Sequence, residues 1–173
     1  MMLERYIECS SSSFGPKKYT SASRFTRIPA GRSVCKYVSP EKYLMFVGRV
    51  TPQIRKYHAI MLEMQQEAIS SLKVGGKFSD IDRVVVSMAK MKDVSQLLLH
   101  HTGHCIGLEG HESPFFDVGD DSPIRANMVF TIEPGIYVPK LGGFRHSDTI
   151  IMHEDGPEVI TYYPNNTDDL IVI

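Results

Sequence analysis

Between residues 100 and 114 the chain reads HHTGHCIGLEGHESP, which gathers four of its seven histidines with two glutamates and three glycines. Imidazole and carboxylate groups bind divalent metals and move protons near neutral pH. Glycine lets the backbone come close to a ligand. His104 and His111 are seven residues apart. That spacing puts them on one face of a helix but on opposite faces of a strand. Gly103, Gly107 and Gly110 speak against a regular helix. A bent strand and loop that points both imidazoles into one cleft is the remaining arrangement. Two further blocks place titratable groups beside a glycine or a strand end: TIEPGIY at 131–137, with Glu133, and GFRHSDT at 143–149, with Arg145, His146 and Asp148. Three chemistries remain open for this set: metal ligation, acid–base catalysis, or a site that has lost other parts.

The bland readings are also specific. His100 and His101 read as structural, with His101 orienting the loop. Glu109 reads as a surface pair and His153 as an exposed turn. Asp148 is a substitute ligand at most. Cys105 adjoins His104, but neighbours on a strand point apart, so the two are not a nucleophile–base pair.

These groups need elements to hold them. TP at 51–52 opens a helix, with proline in the first turn, where its missing N–H costs nothing. Ile54, Tyr57, Met61, Met64, Ala68 and Leu72 then form one apolar stripe. The periodicity predicts a helix over 52–73, ended by Gly75-Gly76. A second is predicted over 79–91, capped by the SDID run at 79–82, with Ile81, Val84, Val85 and Met88 inward. After residue 95 the character changes to strands and turns. Strands are predicted at 43–47, 127–132, 135–138 as a continuation past Pro134, 149–152 and 158–161, the last two joined by an Asp155-Gly156 turn. Helices followed by antiparallel strands make an α+β domain.

The chain of 173 residues is 42% apolar and carries a formal net charge of −1. It can bury one sizeable core, and nothing in its charge calls for a nucleic-acid or anionic-membrane partner. No run approaches the roughly eighteen apolar residues of a membrane span, and the N-terminus lacks a signal-peptide pattern. Cys9, Cys35 and Cys105 are odd in number and widely spaced, which fits a reducing cytoplasmic setting.

Taken in order, several blocks resemble the pita-bread hydrolases: aminopeptidase P, prolidase, methionine aminopeptidase and creatinase. They are FGP at 14–16, TRIPAG at 26–31, VG at 47–48 with TP at 51–52, HTGH at 101–104, GLE at 107–109, HE at 111–112, FTIEPGIY at 130–137 and EDGPE at 154–158. The likeness is strongest to the Xaa-Pro peptidase and creatinase branches. It implies a pita-bread domain over 14–173 with an incomplete first half, preceded by a segment 1–13. It also implies a hydrolase that cleaves a C–N bond next to an imino acid or related small group.

The resemblance assigns roles residue by residue. The family's peptidases hold two divalent ions with two aspartates, one histidine and two glutamates. The ligand histidine falls on His104, the first glutamate on Glu133 and the proton-handling histidine on His111. Arg145 is expected to anchor a carboxylate, either Glu133 or that of a substrate, and with His111 to serve catalysis. The second glutamate falls on Ser147, and the aspartate positions fall on Pro29 and Pro40, or on Pro40 alone with a gap. A histidine expected after the FGP block is also missing. Two divalent ions sharing one carboxylate would repel strongly across roughly 3.5–4 Å. The expectation is therefore no cofactor or one weakly held divalent ion of manganese or cobalt type at His104 and Glu133, and no two-metal centre. Creatinase shows the fold working without metal. In that scheme His111 or His104 shuttles a proton, Glu133 stabilises a cationic group and Arg145 binds a carboxylate. The expected partner is a small peptide or amino-acid-derived substrate, with a homodimer as the assembly admitted. The rival reading is a catalytically inactive module that binds peptides or partner subunits.

Overall fold

The computed structural model describes Leu44 and residues 46–172. The segment 1–13, Tyr43 and Met45 of the 43–47 strand, Cys9, Cys35, Pro29 and Pro40 lie outside the described residues.

Strand β1 (Phe46–Val47) leads into helix α1 (Pro52–Ser70). The Thr51 hydroxyl caps α1 by accepting from the Ile54 N–H, and Pro52 occupies the first turn. Helix α2 spans Phe78–Met91. The strands that follow are β2 (Gly103–Cys105), β3 (Glu112–Phe116), β4 (Val129–Ile132), β5 (Gly135–Val138), β6 (Gly142–Arg145), β7 (Asp148–His153), β8 (Gly156–Val159) and β9 (Ile171–Val172). Five of them form an antiparallel sheet in the order β3-β2-β4-β7-β8. β5 and β6 make a separate hairpin, and β9 runs parallel to β1.

The two helices pack their apolar stripes on one face of the sheet. Ile54, Met61, Met64 and Ala68 of α1 and Ile81 and Val85 of α2 are buried there. From the strands come Phe116, Phe130, Ile132, Ile150 and Met152. Phe78, Phe116 and Phe130 meet at centroid separations of 4.3, 4.9 and 5.9 Å. Each such side chain contributes about 1.5–3 kcal/mol on burial, which makes this seam the main tie between helices and sheet. Among the described residues, no helix is long and apolar enough to cross a membrane.

Several sequence expectations shift. α1 stops at Ser70, where the ladder tightens: Ser71 N–H is shared between the Glu67 and Ala68 carbonyls and Leu72 N–H bonds Ile69, three residues back. Gly75, at φ +84°, instead shapes the turn that exchanges backbone hydrogen bonds with Ile124. α2 is capped at Lys77 without a side-chain bond. Ser79 lies inside the first turn and donates to Asp121, while Asp82 is buried and faces Thr102. The chain turns at Pro134 rather than continuing β4, so Gly135–Val138 pairs only with β6. His153 ends β7 and bonds Glu158 at 2.7 Å instead of sitting in a turn.

His58 on α1 is fully buried. Its Nδ1 shares a 2.7 Å hydrogen bond with the Thr167 hydroxyl, and its Nε2 has no partner. Burial, aided by the nearby His146, lowers its pKa from 6.5 to about 4. Between those values the unfolded chain takes up a proton that the folded chain refuses. Stability should therefore decline as pH falls from about 6.5 to about 4 and level off below, by on the order of 3 kcal/mol. Urea unfolding at a series of pH values checks this. His58→Gln should lower stability at neutral pH and flatten the slope between pH 6.5 and 4.

Candidate metal and proton-transfer site

His104 lies in the middle of β2, and Glu133 follows the last residue of β4. Both are buried, on the sheet face away from the helices. That face follows from register: Phe130, Ile132 and Ile150 point to the helices, so Thr131 and Glu133 point the other way. His104 Nε2 and Glu133 Oε1 are 3.1 Å apart. After β2 the chain loops over glycines and returns as β3, which brings the exposed His111 back over His104. Their ring centroids are 4.0 Å apart, tilted by 32°. Ligand atoms of His104, His111 and Glu133 all fall within 4.8 Å of one another.

The proton count at His104 follows from its neighbours. Its Nδ1 lies 3.0 Å from the Cys105 carbonyl oxygen, which can only accept. Nδ1 therefore carries a proton, and in the neutral ring Nε2 presents a lone pair to the Glu133 carboxylate. Two electron-rich atoms at that range need a positive partner: a second ring proton or a bound cation. Bonds of about 2.1 Å at right angles place two donors about 3.0 Å apart, close to the observed spacing. The backbone-anchored imidazole is also the usual arrangement of a ligand histidine. The residues present thus fit one ion. Among the described residues no second carboxylate joins this group.

The other candidates are placed as follows. Ser147 is buried between β6 and β7 and brings no charge. Asp148 is not near His104. It points to the helix side, takes a hydrogen bond from His146 Nε2 at 3.2 Å, and lines a groove with Gln66 and Tyr163. The substitute-ligand reading of Asp148 is therefore corrected: its register with Ile132 aims it through the sheet. Asp117, an acid just after β3 and outside the candidate set, accepts from the Gly119 N–H of its own turn. Arg145 pairs in register with Gly135, two residues beyond Glu133, and lies within electrostatic reach of His100, as Glu133 does. Cys105 is buried, and burial pushes its thiol up to about 11, so it is no nucleophile.

Two further contacts support the group, one through His100, which the sequence reads as structural, and one through Gln65, which it does not mark. His100 donates from Nδ1 to the His101 carbonyl, and its Nε2 accepts from the Tyr137 hydroxyl, both at 2.8 Å. Gln65 of α1 reaches through the core to donate to the carbonyls of Ile132 and His146, at 3.1 and 3.0 Å. Those residues immediately precede Glu133 and Ser147. Nothing in a helical stripe distinguishes such a glutamine from a boundary residue.

A family model described as "Metallopeptidase family M24" matches residues 21–154. A Xaa-Pro dipeptidase of Pyrococcus furiosus is 36% identical over 134 residues, which cover 78% of this chain and 38% of that protein. The structure of an X-Pro aminopeptidase from Thermotoga maritima superposes with a TM-score of 0.72 at 32% identity, covering 76% of this chain and 37% of that one. Prolidase from Pyrococcus furiosus gives a TM-score of 0.66 at 35% identity, with 68% and 35% covered. The chain spans little more than a third of the length of these relatives. The α+β architecture is that of the pita-bread hydrolases.

One backbone contact holds the two buried donors at their spacing. A Cβ on Gly103 would sit 2.0 Å from the Thr131 carbonyl oxygen, a clash with main chain that no rotamer relieves. Gly103→Ala should therefore cost about 3 kcal/mol, at the top of the usual overpacking range or above it. Urea unfolding measures the loss. Hydrogen exchange should speed up first at the amides joining β2 to β4.

Proposed function

The chain belongs to metallopeptidase family M24, and on that premise we propose that it is a Xaa-Pro peptidase-like hydrolase module acting through a single-ion or metal-free site. The reading rests on one observation above all: His104 Nε2 faces the Glu133 carboxylate at 3.1 Å with its own Nδ1 proton committed to Cys105. His104 and Glu133 would hold the ion. A divalent cation there would polarise the carbonyl of the bond to be cleaved.

The remaining chemistry falls to this chain's own side chains. His111 stacks on His104 and is exposed, so it can meet substrate and carry a proton to the departing nitrogen. Arg145, half-buried on β6, would hold a substrate carboxylate. That pairing suits a short peptide with an imino acid beyond the cleaved bond, as the names of the relatives suggest. The buried free thiol of Cys105 agrees with a reducing, cytoplasmic setting.

Ser147 favours a second reading. A buried hydroxyl where a carboxylate would balance a second cation suits a module that binds peptides without turning them over.

Calorimetric titration of Mn²⁺ or Co²⁺ beside an assay on Xaa-Pro dipeptides and tripeptides separates the two. We expect at most one ion per chain, lost in His104→Ala and Glu133→Gln and weakened in acid, because a ligand imidazole must shed its proton. His111→Ala should leave ion affinity within about threefold and lower turnover by about 10²-fold or more. Peptide binding with no turnover at saturating metal would establish the non-catalytic module. Two tight ion sites in the unmodified chain would refute the single-ion reading.

A further inference from the structure

Thr102 is almost fully buried, two residues before His104, and every polar atom it has is engaged. Its N–H donates to Asp82 Oδ1 at 3.1 Å and to the Phe116 carbonyl at 3.0 Å. Its hydroxyl donates to the same Asp82 oxygen at 2.6 Å. Its carbonyl accepts from the Glu133 N–H at 2.7 Å. One residue thus joins helix α2, the edge strand β3 and the backbone of the buried glutamate. Asp82 reaches Thr102 from inside the helix-to-sheet core, where it is 7% exposed. A buried carboxylate is costly to desolvate, and burial is the leading cause raising its pKa. Nothing else in α2 sends a charged group into the core, and a carboxylate spent on one backbone segment marks a place where position matters.

We propose that Asp82 is a positioning residue for the His104–Glu133 pair, acting through Thr102. The inference rests on the reading that those two side chains hold a cation. Asp82 touches neither of them. It fixes the N–H and hydroxyl of Thr102, and Thr102 in turn fixes the start of β2 on one side and the Glu133 N–H on the other. Lose the anchor, and β2 can slide or rotate relative to the end of β4. His104 Nε2 and Glu133 Oε1 then no longer share one approach. Removal of such supporting partners typically lowers metal affinity 10–100-fold.

The test uses four variants of the full chain. Asp82→Asn keeps an acceptor oxygen in place, and Thr102→Ser keeps the hydroxyl. Asp82→Leu and Thr102→Val remove one side or the other of the contact. Co²⁺ affinity is measured by calorimetry, and the ¹⁵N signals of the His104 ring report, without metal, whether its proton stays on Nδ1. We expect Asp82→Asn and Thr102→Ser to stay within about threefold of the unmodified protein, with a single His104 tautomer. Asp82→Leu and Thr102→Val should bind Co²⁺ about tenfold or more weakly and show averaged His104 signals. If Asp82→Leu does not fold, Thr102→Val carries the comparison alone. A folded Thr102→Val with only its melting temperature lowered, and with unchanged Co²⁺ affinity and His104 signals, would overturn the proposal. If the unmodified protein takes up no Co²⁺, the ion reading falls, and the ring signals decide the positioning role by themselves: averaging in Thr102→Val supports it and an unchanged pattern refutes it.

Discussion

Everything at the site depends on how closely β2 can lie against β4. Gly103 leaves no room for a side chain over the Thr131 carbonyl, so the two strands meet at a distance that only glycine permits. His104 is the next residue, and its N–H and carbonyl both engage the Thr131 hydroxyl, at 3.2 and 3.4 Å. The main chain of β2 is therefore clamped on β4 immediately beside the histidine. Glu133, two residues beyond Thr131, inherits that clamp. The 3.1 Å separation of imidazole and carboxylate is a consequence of backbone packing more than of any attraction between the two side chains.

The second layer of control comes from the helices, and it is polar. Gln65 and Asp82 interrupt otherwise apolar faces to reach backbone groups next to the site. An apolar contact tolerates sliding, because dispersion and burial have little directional preference. A hydrogen bond does not, because it weakens steeply as angle and distance depart from ideal. Helices that merely covered the sheet would stabilise it without fixing the strand ends. These two polar contacts set where the ends of β2, β4 and β6 stand relative to the helix axes.

The helices and the general order of elements are legible in the sequence because their signals are local. Thr51-Pro52 caps a helix wherever it lies, and Ile54, Met61, Met64 and Ala68 keep their period without outside help. β2, β3 and β6 are not legible that way. They are short, β2 and β6 contain glycine and β3 contains proline, so their extended form is set by partners and not by propensity. The SDID run shows the same limit from the other side. Ser and Asp favour helix starts, yet Ser79 and Asp82 are both spent on distant residues, Asp121 and Thr102, that no local pattern announces. Asp148 looks like a ligand beside the Ser147 position until strand register turns it through the sheet.

The candidate residues His104, His111 and Glu133, which the structure brings together, stand out in the sequence for a different reason. Histidines and glutamates beside glycines are chemically conspicuous, and the blocks around them follow a family order. What the blocks do not convey is charge balance, and charge decides what the site can hold. Of the three ligand-bearing side chains within 4.8 Å of one another, only the Glu133 carboxylate can offset charge on a divalent ion, since a ligating imidazole is neutral. Among the described residues, no further carboxylate joins the group to offset a second ion alongside the first. A serine at position 147 cannot change that, since a hydroxyl donates a lone pair but neutralises nothing. The described part of the chain thus holds one buried imidazole–carboxylate pair at 3.1 Å, with the clamps that keep it in place.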